Sequence, residues 1–146
     1  MIKELEKKLH KEIPLTNFMQ LKVSNYDKNE LVTTAPLDVN INDKGTAFGG
    51  SLATMTIISS WSICWLISKE LGFDSNNIVV IKNENSYKKP VTKDIICHTT
   101  KPTIEQLNIL KEKLKKKKSA SIKIYSKITE DGEICVEFEG YYVIKL

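Results

Sequence analysis

Residues 49–72 read GGSLATMTIISSWSICWLISKELG, and this stretch decides the fold. No charged residue or helix breaker interrupts it between Gly50 and Lys69. The pattern predicts one long helix that ends near Gly72, because glycine commonly follows the last helical turn. The helix is apolar on nearly every side and has little surface to give to water, so other elements must surround it.

The same stretch is a poor candidate for a membrane span. A transmembrane helix needs about 20 predominantly apolar residues, whereas hydroxyl side chains recur along residues 52–71 at Thr54, Thr56, Ser59, Ser60, Ser62 and Ser68. We therefore predict a buried core helix and no membrane partner. The first residues, MIKELEKKLHKEIP, lack the apolar core of a signal peptide, so a cytoplasmic location is expected.

Strand-like segments lie on both sides of the long helix, and most alternate apolar with polar residues. Two short amphipathic helices, residues 2–12 and 103–118, complete the chain. The expected strands are residues 19–23 and 31–35 before the long helix, and 78–87, 91–100, 120–129 and 134–146 after it. The sequence thus predicts one α+β domain over residues 1–146, with an antiparallel sheet of five to six strands wrapped around one helix.

Composition restricts the function. The chain has 146 residues, 41% of them apolar, and a net charge of +4. Residues 111–118 contain six lysines and one glutamate, so the rest of the chain is close to neutral. Such a run can attract nucleic acid or anionic lipid. A solvated helix end is the simpler interpretation, and no nucleic-acid partner is predicted.

The cysteines give no sign of a metal site. Cys64, Cys97 and Cys135 form no pair with metal-ligand spacing, and only His10 and His98 are available as further ligands. Each cysteine has apolar neighbours in the sequence, which is typical of a free buried thiol in a reducing compartment. We predict no metal and no cofactor.

Residues 40–51, NINDKGTAFGGS, carry the main chemical signal. Glycines let a backbone approach a ligand closely, and the start of a long helix offers free N–H donors with a positive dipole end. Such donors can hold a thioester carbonyl and stabilise the oxyanion that forms when water attacks it. Alternatively, Gly49 and Gly50 only allow the chain to enter the helix tightly against a sheet.

Residues 45–52, GTAFGGSL, resemble the loop-to-helix junction of hotdog-fold thioesterases, in which a His-Gly-Gly or similar triplet opens the central helix. The longer segment NDKGTAFGGSLATM, with Trp61 and the later YKKPVTKD of residues 87–94, is similar to one branch of them. That branch is the thioesterase domain at the C-terminal end of YiiD-type acetyltransferases, which also occurs alone. The order of elements agrees from Pro14 to Leu146.

This resemblance implies a homodimer or homotetramer that pairs through its sheets, with acyl-binding tunnels between subunits beside the start of the central helix. It also implies a coenzyme A or acyl carrier protein thioester as substrate. The predicted activity is therefore hydrolysis of an acyl thioester. A non-catalytic acyl-CoA-binding or oligomerisation module is the alternative. A hydratase ranks lower, because His10 and His98 are poorly placed to form its usual histidine–acid pair.

The sequence departs from the family pattern in the residue that would act as the catalytic base. Many hotdog thioesterases carry an aspartate or glutamate on the central helix, but residues 45–68 contain no carboxylate and no histidine, and Phe48 stands where histidine is common. We assign catalysis to Asn42, to backbone N–H groups at Gly50 and Ser51, and to Glu84 as a strand acid that replaces the missing carboxylate. Asn83, Glu84 and Asn85 lie on the strand after the helix, where they can also face the site of a partner subunit. Asn40, Asp43 and Thr46 are further polar groups near the junction, and Asp43 is more simply a turn residue.

The predicted substrate-binding residues surround the same junction. The acyl chain is expected beside apolar side chains of the junction and helix, and the carrier beside the segment that follows residues 78–87. The assigned residues are Phe48, Gly49, Met55, Trp61, Tyr87 and Lys89. Trp61 is equally consistent with a core position, and Lys88, Lys89 and Lys93 are either phosphate ligands or ordinary surface lysines. A serine triad with Asp94 and His98 is disfavoured, because no Gly-x-Ser-x-Gly motif is present.

Overall fold

The computed structural model describes all 146 residues and contains one six-stranded sheet and four helices. The helices are α1 (Ile2–Glu12), α2 (Pro14–Phe18), α3 (Gly49–Glu70) and α4 (Ile104–Lys117). The strands are β1 (Lys22–Tyr26), β2 (Glu30–Ala35), β3 (Asn77–Tyr87), β4 (Ile95–Thr100), β5 (Ser119–Glu130) and β6 (Glu133–Lys145). The predicted α+β architecture with one long central helix is confirmed.

Every neighbouring pair of strands is antiparallel, in the order β1-β2-β4-β5-β6-β3. Tight turns join β1 to β2 and β5 to β6, and Asp131-Gly132 forms the second turn with both residues at positive φ. β3 returns to the far edge beside β6 after the chain has passed through α3. The sheet therefore has β1 at one edge and β3 at the other.

α3 lies in the core and packs against β2, β3, β4, β5 and β6. It is long and apolar enough to span a membrane by length and composition, but 61% of its most apolar window is buried inside this fold. Buried hydroxyl pairs join it to the sheet: Ser59 with Thr33 at 2.6 Å and Ser60 with Ser126 at 2.8 Å. These pairs account for Ser59 and Ser60, whereas Ser62 and Ser68 donate to carbonyls one turn earlier in the same helix.

Two predicted strand boundaries were wrong. The alternation of Met19, Leu21 and Val23 led to a strand at residues 19–23, but the strand begins only at Lys22. Pro14 begins a second helix, α2, that was not predicted, because proline suits the first turn of a helix. Residues 91–94 belong to a loop, although Val91 is buried and its carbonyl accepts a hydrogen bond from Ala47.

Candidate functional site at the start of the central helix

The loop before α3 is held in place by backbone hydrogen bonds. Phe48 N–H donates to the Asn40 carbonyl at 2.7 Å, and Asn42 N–H donates to the Thr46 carbonyl at 2.8 Å. Ala47 N–H donates to the Val91 carbonyl at 2.8 Å, so the loop between β3 and β4 also holds the loop before α3 in place. The first turn of α3 is thus fixed relative to the sheet before any ligand binds.

Asn42 uses its whole side chain inside this loop. Its amide oxygen accepts from the N–H groups of Lys44 at 2.8 Å and Thr46 at 3.1 Å. Its amide nitrogen donates to the Thr46 hydroxyl at 2.8 Å and to the Ala47 carbonyl at 3.4 Å. An asparagine makes about four hydrogen bonds at most. The residue predicted to hold a water or a carbonyl therefore has no hydrogen-bonding position left for either.

Three N–H groups at the start of α3 have no hydrogen-bond partner. The first helical bond runs from Leu52 N–H to the Phe48 carbonyl at 3.1 Å, and no side chain caps the helix. The N–H groups of Gly49, Gly50 and Ser51 are therefore free, as expected for the first turn of a helix. They point away from the helix along its axis, where the helix dipole favours negative charge.

The ring of Phe48 folds over this first turn. A Cβ atom built on Gly50 would lie 2.3 Å from Cε2 of Phe48, so the ring fills the space that a side chain at position 50 would need. Phe48 is 56% exposed, and its backbone is extended with φ −64° and ψ 132°. Glycine at position 50 lets an exposed aromatic ring lie directly beside the free amides.

A groove of about 350 Å³ opens beside the same turn. Its lining combines residues from α2, the loop before α3 and the first turns of α3. The nine residues are Leu15, Phe18, Met19, Val39, Asn40, Phe48, Gly50, Ser51 and Thr54, and none of them is charged. The groove brings together three of the predicted site residues, namely Phe48, Gly50 and Ser51.

Asn40 is the one deeply buried polar side chain of this groove. It is only 3% exposed, and its amide nitrogen donates to the carbonyls of Met19 at 3.0 Å and Pro36 at 2.8 Å. These two bonds fix the orientation of the amide. Its oxygen accepts no hydrogen bond within the protein and is not fully buried, and Asn40 is one of the residues that line the groove.

Glu84 does not lie at this groove. Its register partner on β6 is Glu139, whereas the next residue, Asn85, pairs with the buried Phe138 and accepts a hydrogen bond from Thr56 of α3. Side chains alternate between the two faces of a strand, so Glu84 points to the outer face of the sheet. There it lines a second cavity of about 470 Å³. Within one chain, Glu84 and the start of α3 do not come together.

Two of the predicted acyl contacts are core residues in this structure. Met55 is fully buried in the core cluster. Trp61 is partly buried against the same core, and its indole N–H donates to the Ile78 carbonyl at 2.9 Å. Neither residue lines the groove, although Trp61 was open to a core role from the sequence.

The segment after β3 is held by the β5–β6 hairpin. Lys89 pairs with Glu133, Lys88 with Glu137 at 3.8 Å, and Lys93 with Asp131 at 2.9 Å. All three pairs are largely exposed, and exposed pairs contribute about 0–1 kcal/mol. An exposed pair does not prevent Lys89 from binding another anion. Tyr87, two residues earlier in the chain, is 54% exposed. The predicted carrier contacts at Tyr87 and Lys89 stay predictions.

No other nucleophile or acid–base pair lies at the groove. Burial raises the pKa of Cys97 to about 11 and raises the pKa of Cys64 and Cys135 as well, so all three thiols stay protonated. His98 pairs with Glu30 at 3.0 Å, whereas Asp94 accepts from Leu37 N–H, so the disfavoured triad does not assemble. The groove offers only hydrogen-bond donors, an amide acceptor and apolar surface.

Sequence reasoning missed the contribution of α2. Leu15 and Phe18 line the groove, but a five-residue helix is too short to show a helical period. It also gave Asn40 less weight than Asn42. Nothing in the one-dimensional pattern separates an asparagine that stabilises a turn from one that faces a groove.

The family model described as "Putative thioesterase (yiiD_Cterm)" matches residues 2–146. The match covers the loop before α3, all six strands and both groups of groove residues, on α2 and on α3.

Three solved structures are similar to this chain over nearly its whole length. A protein of unknown function from Chlorobaculum tepidum TLS is 32% identical with a TM-score of 0.94, over 98% of this chain and 93% of that one. A putative thioesterase from Shewanella oneidensis is 28% identical with a TM-score of 0.86, over 99% and 97% of the two chains. A thioesterase from Haemophilus influenzae, at 15% identity and a TM-score of 0.71 over 100% and 92%, shows the shared fold alone.

Proposed function

Because this chain belongs to the YiiD C-terminal family of putative thioesterases and has their hotdog fold, we propose that it hydrolyses acyl thioesters at the start of α3. The observation that supports this most is the combination of three unpartnered N–H groups with an uncharged groove beside them. A thioester needs both features, since its carbonyl is polar and its acyl chain is apolar.

The N–H groups of Gly49, Gly50 and Ser51 supply the oxyanion hole of the proposed reaction. Water adds to the thioester carbon, and negative charge develops on the carbonyl oxygen in the transition state. Preorganised backbone donors stabilise that charge, and removal of one such donor typically costs about 10²–10³ in kcat. The carbon–sulfur bond then breaks, and the sulfur takes up the proton that the water has lost. The products are the free acid and the free thiol.

Asn40 replaces the missing helix carboxylate as the group that positions the water. Its amide oxygen has no partner within the protein, so it can accept a hydrogen bond, and it does not take up a proton near neutral pH. It can therefore orient the attacking water without acting as a general base. The reaction then depends mainly on electrostatic stabilisation at the helix start.

The proposed carrier is coenzyme A or acyl carrier protein, and the proposed active form is a homodimer or tetramer. β3 is an edge strand of 11 residues with no partner on its outer side. Val79 and Ile81 on this edge are 44% and 61% exposed. A long apolar edge favours pairing with another strand, and a second copy of β3 would extend the sheet across two subunits.

A non-catalytic acyl-binding module is the second candidate. It is favoured by one observation, the absence of any carboxylate or histidine among the groove residues. Both candidates predict that acyl-CoA binds, and only the first predicts release of free thiol.

The proposal is tested by measuring thiol release from acyl-CoA substrates of graded length, with wild type, Asn40→Ala and Ser126→Ala. We expect turnover by wild type and a fall in kcat of at least about tenfold in Asn40→Ala, because loss of correct positioning of a reacting group can cost up to about 10²-fold in rate. Ser126→Ala is the control, because it also removes a buried hydrogen-bonding side chain but lies outside the groove. Binding measured by calorimetry without thiol release would instead support the second candidate.

A further inference from the structure

The polarity of α2 is reversed relative to an ordinary surface helix. Thr16 is fully buried, and its hydroxyl donates to the Ile13 carbonyl at 2.8 Å. Leu15 and Phe18 instead project outward and are 54% and 77% exposed. Apolar side chains normally face the core and polar ones the solvent. This helix therefore presents its apolar side chains to something outside the core.

The exposed side chains of α2 belong to a larger apolar surface. Val39 at 46% and Phe48 at 56% exposure lie across the same groove from Leu15 and Phe18. Contiguous apolar patches of this kind mark binding sites more often than scattered exposed residues do. The groove volume of about 350 Å³ is within the range of small-molecule sites.

The groove is chemically matched to one part of a thioester. Its apolar lining is continuous with Gly50 and Ser51, whose N–H groups are free. No charged side chain lines it, and the Thr54 hydroxyl is already bonded to the Gly50 carbonyl at 2.8 Å. A polar or charged acyl group would lose hydrogen bonds to water and find few partners along this lining. An alkyl chain makes no hydrogen bonds to water and so loses none.

We propose that the groove between α2 and the start of α3 binds an unbranched fatty acyl chain of medium to long length, and that Leu15 and Phe18 determine the preference for chain length. This inference rests on the proposed thioesterase function for the position of the carbonyl. It assigns substrate selection to α2 rather than to Met55 and Trp61 of α3. Each methylene that enters the groove raises kcat/KM by about three- to fourfold, from the usual value of apolar burial.

The double variant Leu15→Ser/Phe18→Ser tests this assignment. It is compared with Ile104→Ser/Ile109→Ser, because these isoleucines are similarly exposed at 79% and 53% but lie on α4. The measurements are kcat/KM for butyryl-, octanoyl-, dodecanoyl- and palmitoyl-CoA, together with the thermal midpoint of each variant.

We expect the α2 variant to lower the dodecanoyl to butyryl ratio of kcat/KM by at least about tenfold, since several apolar contacts are lost, while the α4 variant keeps the wild-type ratio. An unchanged ratio in the α2 variant, or an equal fall in both variants, would overturn the assignment. So would a wild type that prefers phenylacetyl- or branched acyl-CoA over dodecanoyl-CoA. A change in oligomeric mass of the α2 variant alone would show that a second copy covers the groove, and would also overturn it.

The proposed function can fail independently of this inference. If wild type releases no thiol from any substrate, the thioesterase proposal fails. Calorimetry with dodecanoyl-CoA then tests whether the groove binds the acyl chain. Tighter binding to wild type than to the α2 variant supports the acyl site, and equal binding overturns it.

Discussion

The ring of Phe48 occupies the space in which a side chain at position 50 would lie. The ring is exposed and attached to an extended residue, so it can turn away, but it would then leave the groove. We therefore predict that Gly50→Ala raises KM for dodecanoyl-CoA in the wild-type background and has little effect in Phe48→Ala. Steady-state kinetics of the four proteins measures this coupling as a double-mutant cycle. Additive effects would contradict the observed contact.

The missing carboxylate has a consequence for pH dependence. Neither the groove residues nor the first turn of α3 includes a group that titrates between about pH 4 and 9. Hydroxide must then contribute to attack, so kcat is predicted to rise steadily over this range in a pH–rate profile. A plateau above an inflection near pH 4–6 would instead reveal a carboxylate base, for example one contributed by another subunit.

The sequence was sufficient to predict where free backbone amides lie. The glycines of residues 45–50 and the long helix after them were enough to locate free amides. They were not enough to choose between Asn40 and Asn42. Both lie in the same polar loop. Only the folded loop shows that the side chain of Asn42 makes all its hydrogen bonds within the loop, whereas the amide oxygen of Asn40 has no partner within the protein.

α3 and the sheet are joined by hydroxyl groups as well as by apolar packing. Ser126 of β5 bonds both to Ser60 of α3 at 2.8 Å and to Thr99 of β4 at 2.7 Å, and all three residues are buried. Ser126→Ala is predicted to lower the free energy of unfolding by about 2–3 kcal/mol, because each buried hydroxyl that loses a partner costs about 1–3 kcal/mol. Chemical denaturation measures the loss.

A matched control is Ser121→Ala on the exposed side of the same strand, for which no change beyond about 0.5 kcal/mol is expected, as for most surface substitutions. Equal losses in the two variants would mean that the hydroxyl network adds nothing to stability.

The long elements were predictable, and the shortest helix was not. The uninterrupted apolar run fixed α3 to within two residues of its end at Glu70. The helix predicted at residues 103–118 is observed at Ile104–Lys117, with Thr103 and Gln106 forming a capping box. α2 has only five residues, and its apolar side chains face outward, so neither length nor periodicity could reveal it. The groove it lines depends on contacts between elements far apart in the chain.

At the scale of the whole molecule, the two sheet edges differ. β1 is short, carries a bulge, and is covered by α1, whose Glu6 accepts from Val23 N–H at 2.8 Å. β3 is open along its outer side. The proposed dimer therefore forms at β3, and Ile81→Lys is predicted to shift the protein towards monomer, because a charged residue on an edge opposes strand pairing.

Light scattering after size-exclusion chromatography measures that shift, with Ile104→Lys on α4 as the control. The control is expected to keep the wild-type mass. A monomeric wild type, or an Ile81→Lys variant with the wild-type mass, would contradict pairing through this edge.

The most direct test of the central claim, that free amides at the start of α3 drive thioester hydrolysis, is the rate of thiol release by Gly49→Pro beside Gly49→Ala. Proline suits the first helical position and lacks the N–H group, and a Cβ atom at this position, which both variants carry, would meet nothing within 4 Å. We predict that Gly49→Pro lowers kcat by about 10²-fold, the usual effect of losing one oxyanion donor, while Gly49→Ala stays near wild type. Equal activity in the two variants would contradict the account.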